Sequence, residues 1–144
     1  RADEVTIAGR SIRAQSSGLK PLAKKEEFQG FIGILDQMPV SRQVLEHAVA
    51  LTAATRPKDK ESDDYVRRYI GWGAGPRASQ HLITAAKASA LLDGRPSPEI
   101  QDLRRVLTPV LRHRIIPNYN ALGEGLDSSA IIQHILDTVK APTA

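Results

Sequence analysis

The residues best suited to chemistry lie together in Gly71-Trp72-Gly73-Ala74-Gly75-Pro76-Arg77-Ala78-Ser79. Glycines at 71, 73 and 75 give this stretch unusual backbone freedom. Pro76 suits the first turn of a helix, where the N–H it lacks is not needed. A helix opening after such a loop presents unpaired backbone N–H groups and the positive end of its dipole, and both favour an anion. Arg77 adds a permanent charge and a forked donor that fits phosphate or carboxylate. The ordinary alternative is a solvated arginine in the first turn of a helix that follows glycine and proline.

The rest of the chain holds little that could complete a reaction. There is no G-x-x-x-x-G-K-S/T phosphate cradle, because the glycine loop ends in Pro76-Arg77. There is also no G-x-S-x-G elbow, H-E-x-x-H or H-x-x-E-H. His47, His81, His113 and His134 are too far apart in sequence for a metal-ligand motif, and no cysteine is present to form a thiolate site or a disulfide. No carboxylate pair stands out for acid–base work. The expectation is a piece that is not an enzyme by itself.

The elements that must position Arg77 read as helices. Residues 1–20 show no sustained period and are expected to be an extended linker, with a short strand at Val5–Ile7. From Pro21, Leu22, Phe28, Phe31, Ile32 and Leu35 can share a helical face. Gly30 and Gly33 each weaken that helix by roughly 1 kcal/mol unless close packing needs them. Ser41 is placed to cap the next helix, whose stripe is Val44, Leu45, Ala48, Val49 and Leu51. Residues 57–64 form a solvated loop of mixed charge, and Tyr65–Ile70 a short helical turn leading to the glycines. The helix opened by Pro76 places Ala78, Leu82, Ala85, Ala86 and Ser89 on one side, and Arg77, His81 and Thr84 on another. Gly94 is expected to end it in the left-handed conformation. Ser97-Pro98-Glu99 opens a further helix lined by Ile100, Leu103, Leu107, Val110 and Leu111, with Pro109 expected to kink it. Asn118 to Gly125 reads as a loop. Asp127 or Ser128 caps a last helix carrying Ile131, Ile132, Ile135, Leu136 and Val139. The fold class is all-α, a bundle of about five helices with little strand.

The chain has 144 residues, enough for one compact domain, and its low aromatic content asks for a core of Leu, Ile, Val and Ala. No run is long and apolar enough for a transmembrane helix, and no secretory pattern is present, so a cytoplasmic setting is the default expectation. The net charge of +4 is modest. The cluster Arg104, Arg105, Arg112, His113 and Arg114 could face nucleic acid, but it lacks interleaved aromatics and a recognisable reading module. It is read as a solvated or interface-facing side of a helix. Beginning at Arg1, the chain is expected to be a piece of a longer protein.

Several motifs now fall into an order. Arg67-Arg68-Tyr69-Ile70 followed by Gly73-Ala74-Gly75-Pro76-Arg77-Ala78 resembles the sensor 2 region of MoxR-family AAA+ ATPases, which reads R-R-Y-V/I-x-x-G-A-S-P-R-A. The resemblance continues through Ala85-Ala86-Lys87, Ala90 to Arg95, Asp102-Leu103-Arg104 and Pro109 to Arg114, and reaches Asn118 and Glu124-Gly125. Upstream, Met38-Pro39-Val40-Ser41 and Thr55-Arg56-Pro57 fit the family's V-P-V-S and A-T-R-P. It covers roughly residues 21–140, most densely 65–125. One departure is Gly75, where the family has serine. Glycine keeps the turn but removes a hydroxyl.

The resemblance implies a C-terminal AAA+ lid: residues 1–20 a linker from an ATPase core, and 21–144 the helical lid. Arg77 matches the sensor 2 arginine, with Gly75, Pro76, Arg77 and Ala78 bordering the nucleotide. The core would bring Walker A and Walker B, and with them ATP and Mg2+. This piece alone would be inactive and would hold no cofactor. The implied partners are the core itself, neighbouring subunits of a homo-hexamer and a von Willebrand factor A-domain protein, in a chaperone-like remodelling machine. The alternatives are a freestanding helical protein-interaction module and a basic nucleic-acid-binding helical domain.

Overall fold

A computed structural model describes residues 1–12, 20–60 and 62–142. The chain divides into two compact units, Arg1–Ile32 and Gly33–Ala144. The first contains α1 (Ala2–Ile12) and most of α2 (Lys25–Gln37). α1 replaces the extended segment expected there, and Val5–Ile7 lies within it rather than in a strand. Asp3 and Glu4 stand in its first turn, at the positive end of the dipole, and Thr6 Oγ1 donates back to the Ala2 carbonyl. The remainder of the expected linker, residues 13–19, lies outside the described residues.

α2 starts four residues later than Pro21, where Lys24 N–H donates to Glu27 Oε2 at 2.6 Å. It buries no residue, and Phe28, Phe31 and Ile32 are exposed. A Cβ at Gly30 or Gly33 would meet no described atom, so close packing does not explain either glycine.

The second unit holds the core. α3 (Arg42–Ala53) begins where Ser41 Oγ accepts from Val44 N–H. After the charged loop comes α4 (Asp64–Tyr69), capped by Asp63. β1 (Ile70–Trp72) follows it, and α5 (Arg77–Leu92) comes after the glycine loop. α6 (Ile100–Leu111) packs along α5. β2 (Ile116–Pro117), α7 (Tyr119–Gly123) and α8 (Ser128–Thr138) complete the unit. β1 and β2 pair antiparallel, Ile70 with Pro117 and Trp72 with Ile116. The helix at 119–123 replaces expected loop, and Ile70, expected at the end of a helical turn, instead opens β1. α7 forms because Asn118 Oδ1 accepts from the N–H groups of Asn120 and Ala121.

Leu51, Leu82, Leu103, Leu107, Leu111, Ile131, Ile132 and Ile135 are fully buried, with Ala78, Ala86 and Ala90 letting α5 sit close to its neighbours. Each buried large aliphatic side chain contributes about 2 kcal/mol. Gly94 ends α5 at φ 73°, as its position predicts. The cap of α6 is Glu99 rather than Ser97, and Asp102 accepts from Glu99 N–H at 2.8 Å. Pro109 lies inside α6, which ends two residues later at Leu111. Asp127 caps α8 through Ala130 N–H. His134 on α8 stacks on Tyr65 and places Nε2 2.6 Å from Asp63 Oδ2, tying α8 to α4.

Two buried polar groups make the stability of this unit depend on pH. Arg95 grips Asp102 with both terminal guanidinium nitrogens, Nη1 and Nη2, at 2.7 and 2.6 Å. Those bonds hold the Asp102 carboxyl at about 2, against the cost of burial. Its stabilisation is therefore complete above the ordinary carboxylate value of about 4 and is lost as pH falls from there through about 2. Asp102→Asn should remove this acid limb from a plot of unfolding midpoint against pH.

His47 behaves differently. It is fully buried on α3, and neither ring nitrogen has a hydrogen-bond partner among the described residues. Burial, reinforced by the charge of Arg104, pushes it below the ordinary histidine range. The folded state therefore resists protonation, and stability falls as pH drops below about 6.5. His47→Leu should raise stability by about 1 to 2 kcal/mol at neutral pH, by removing an orphaned polar group, and should flatten that limb. Urea unfolding of both proteins at several pH values checks it.

Candidate functional site

The site is built from the chain between β1 and α5. The first side of it is backbone. A Cβ on Gly73 would lie 2.3 Å from the Thr55 carbonyl oxygen and 2.7 Å from Arg56 Cα. Only glycine lets the loop approach the end of α3 so closely. Ala74, the next residue, is held at both of its backbone polar groups. Its N–H donates to Thr55 Oγ1 at 2.9 Å, and its carbonyl accepts from Arg56 Nε at 2.8 Å. Thr55 is fully buried and in turn donates to the Thr52 carbonyl at 2.7 Å. Arg56 also meets Asp59 across 3.3 Å, in the charged loop.

This corrects one expectation. Among the described residues only Gly94 and Gly125 adopt positive φ, so the loop does not use its glycines for left-handed conformations. Gly73 serves close approach instead. Gly75 meets nothing within 4 Å, and Pro76 brings the chain round at φ −57°.

The opening turn of α5 is tight. Ala78 N–H donates to the Gly75 carbonyl at 2.9 Å and Ser79 N–H to the Pro76 carbonyl at 3.1 Å. These two amides are therefore occupied rather than unpaired. Attraction for an anion rests on the helix end as a dipole and, above all, on the Arg77 side chain. Arg77 is exposed and has no hydrogen-bond or ion-pair partner among the described residues. The neighbouring arginines are engaged: Arg56 with Ala74 and Asp59, Arg67 with Asp64, Arg68 with Glu124. Gly75 and Pro76 are exposed beside Arg77, whereas Ala78 is buried in the core and its side chain faces away from solvent. His81 is exposed one turn further on, and Thr84 Oγ1 is bonded to the Gln80 carbonyl. An open pocket of about 540 Å³ adjoins the loop, lined by Arg56, Lys58, Trp72, Gly75 and Pro76 among others.

A second set of motif residues holds β1 in place. Glu124 accepts from Tyr69 Oη at 2.6 Å and from Arg68 at 2.9 Å. The carboxylate pushes the Tyr69 phenol above its usual range. Asn118 donates its backbone N–H to the Tyr69 carbonyl and its side-chain amide to the Arg68 carbonyl. Asn118 and Glu124 thus anchor the strand from which the glycine loop departs.

The basic cluster of α6 is largely committed elsewhere. Arg104 donates to the Leu136 carbonyl, Arg105 approaches Asp93 at 3.2 Å and Arg114 bonds the Val110 carbonyl. It does not form a continuous phosphate-facing row. Among the described residues no three His, Asp or Glu side chains gather as metal ligands, and no helix is long and apolar enough to cross a membrane.

Comparison with known proteins agrees with this architecture. The AAA lid domain family matches residues 62–135, which includes the glycine loop and Arg77. Chaperone MoxR1 of Mycobacterium tuberculosis is 34% identical over 103 residues, 72% of this chain and 27% of that protein. Protein MoxR of Paracoccus denitrificans is 43% identical over 79 residues, 54% of this chain and 23% of that one. The chain thus spans about a quarter of the length of these relatives. A crystal structure of a protein provisionally called an ATPase, from Cytophaga hutchinsonii, superposes with a TM-score of 0.80 at 26% identity, covering 99% of this chain and 44% of that one.

Proposed function

This chain belongs to the AAA lid domain family as the helical lid of a MoxR-type AAA+ ATPase, and from that premise we propose that it closes over ATP and contacts the γ-phosphate through Arg77. The observation that carries the proposal is the state of Arg77. It is an exposed guanidinium at the positive end of a long helix, unpaired among the described residues, on a loop gripped from behind. The residues present fit one side of a nucleotide site. The Arg77 fork matches phosphate oxygens, and the dipole of α5 adds to its charge. The opposite side, including ligands for Mg2+, would come from an ATPase core.

In this reading Arg77 has two tasks. It stabilises negative charge on the phosphoryl group as that charge spreads over the oxygens during transfer. It also reports hydrolysis, because loss of the γ-phosphate leaves the guanidinium without its partner and frees the lid to move. Such motion would couple turnover to chaperone-like remodelling in a ring of subunits. A von Willebrand factor A-domain protein remains the proposed partner. The lid alone should not turn over ATP, since it offers one wall of the site. The test is Arg77→Ala in the intact ATPase, read as ATP turnover at saturating nucleotide with the lid shown to remain folded. Unchanged turnover would sink the assignment.

A further inference from the structure

Arg77 must be aimed as well as present, and nothing on its own side chain aims it. The chain between β1 and α5, residues 73–76, is not a regular element, and the glycine at 75 gives no side-chain packing. Ala74 is the last residue before Arg77 whose backbone is held at both of its polar groups by side chains. Both hands of that grip come from consecutive residues at the end of α3.

We infer that Thr55 and Arg56 are positioning residues for the Arg77 site, clamping Ala74 so that α5 starts in one place. The inference rests on the reading of Arg77 as a phosphate contact. The two residues divide the work by their chemistry. The Thr55 hydroxyl is both donor and acceptor: it accepts from Ala74 N–H while its own proton goes to the Thr52 carbonyl, which sets the direction of its lone pairs. The Arg56 guanidinium is a rigid fork, with Nε on the Ala74 carbonyl and Nη1 toward Asp59. A lysine could reach one of these partners but not both in the same plane. Gly73 completes the clamp by allowing the loop to touch the Thr55 and Arg56 backbone. Pro76 then restricts the turn into α5, so an error at Ala74 is carried on to the first helical turn. A forked donor works only at the right distance and angle, and displacements near 1 Å are costly in a catalytic site.

A merely structural role would also lower stability, so the test is a double-mutant cycle in the intact ATPase. Thr55→Val and Arg56→Lys should each lower kcat about tenfold, with a smaller change in KM for ATP. In an Arg77→Ala background neither should lower kcat further, because the group they aim is gone. Equal losses in both backgrounds, or no loss from either substitution in the native background, would overturn the clamp. Thr55→Ser keeps the hydroxyl and should stay within about threefold of the native kcat. Should serine prove as damaging as valine, the hydroxyl is not the operative group and the inference falls. If Thr55→Val does not fold, the half-exposed Arg56→Lys carries the cycle. An Arg77→Ala protein with native kcat would instead remove the phosphate reading itself, and the clamp's role with it. That outcome is distinct from an active Arg77 with additive losses at Thr55 and Arg56.

Discussion

An intact ATPase carrying Arg77→Ala is expected to lose about two orders of magnitude in kcat, the scale on which a donor aimed at developing phosphoryl charge acts. The size follows from what the side chain would otherwise do. An exposed arginine with no partner among the described residues contributes little to folding, so its removal should leave the lid intact. Any loss of turnover then comes from the site. Arg77→Lys should recover only part of the rate. A lysine keeps the charge at the end of α5 but offers a single ammonium where the guanidinium offers a fork. Circular dichroism and unfolding of the variants beside native protein check the first claim, and steady-state ATP hydrolysis checks the second. A variant that unfolds would show that Arg77 does more for the fold than its exposure indicates.

Gly73→Ala is expected to damage both fold and function, by a different route. The added Cβ would lie 2.3 Å from the Thr55 carbonyl oxygen and 2.7 Å from Arg56 Cα. Both neighbours are backbone, so neither can swing away as a side-chain tip would. Either the loop lifts and loses the two bonds that hold Ala74, or the end of α3 is displaced. Overpacking of this kind costs about 3 kcal/mol, the upper part of its usual range. For a unit of this size that corresponds to a fall in melting temperature on the order of 10 °C. Turnover should fall as well, since lifting the loop moves the start of α5. Gly75→Ala provides the contrast. Its Cβ would meet no described atom, and Gly75 does not adopt positive φ, so stability should scarcely change. A calorimetric scan of the two variants separates them. Equal melting temperatures would mean that the loop does not press on α3.

The features that were legible in the sequence share one property: their causes are local. Ser41, Asp127 and Gly94 each act within a few residues of themselves, through a side-chain oxygen on a nearby N–H or a left-handed turn. The apolar stripes of α5, α6 and α8 announce their buried faces for the same reason, since helical period is a property of a short window. On α3 only Val44, Ala48 and Leu51 of the expected stripe are buried, while Leu45 and Val49 are exposed and His47 and Thr52 take the inner face. Motif order pointed to the lid family, and the family match over residues 62–135 bears that out. Where a local signal is ambiguous, the structure departs from what it suggests. Three glycines in the loop suggest conformational freedom, yet none adopts positive φ and Gly73 is there for contact. Composition without period suggested an extended start, yet Ala2–Ile12 is helical.

The amino-acid sequence by itself determined that this is a helical domain with an aliphatic core, and it pointed to Arg77 at a helix start as the candidate for chemistry. The tertiary structure decided how that group is held. Ile70 meets Pro117 across 47 residues, and Glu124 reaches back to Arg68 and Tyr69, pairings that no short window contains. Thr55 and Arg56 grip Ala74 from 19 and 18 residues away. The same folding buried His47 without a partner and left Arg77 unpaired among the described residues. The physical reason is one of range. Periodicity, capping and helix dipoles act within a turn or two of the chain. A clamp, a cross-strand pair or an orphaned buried group exists only once distant segments have packed.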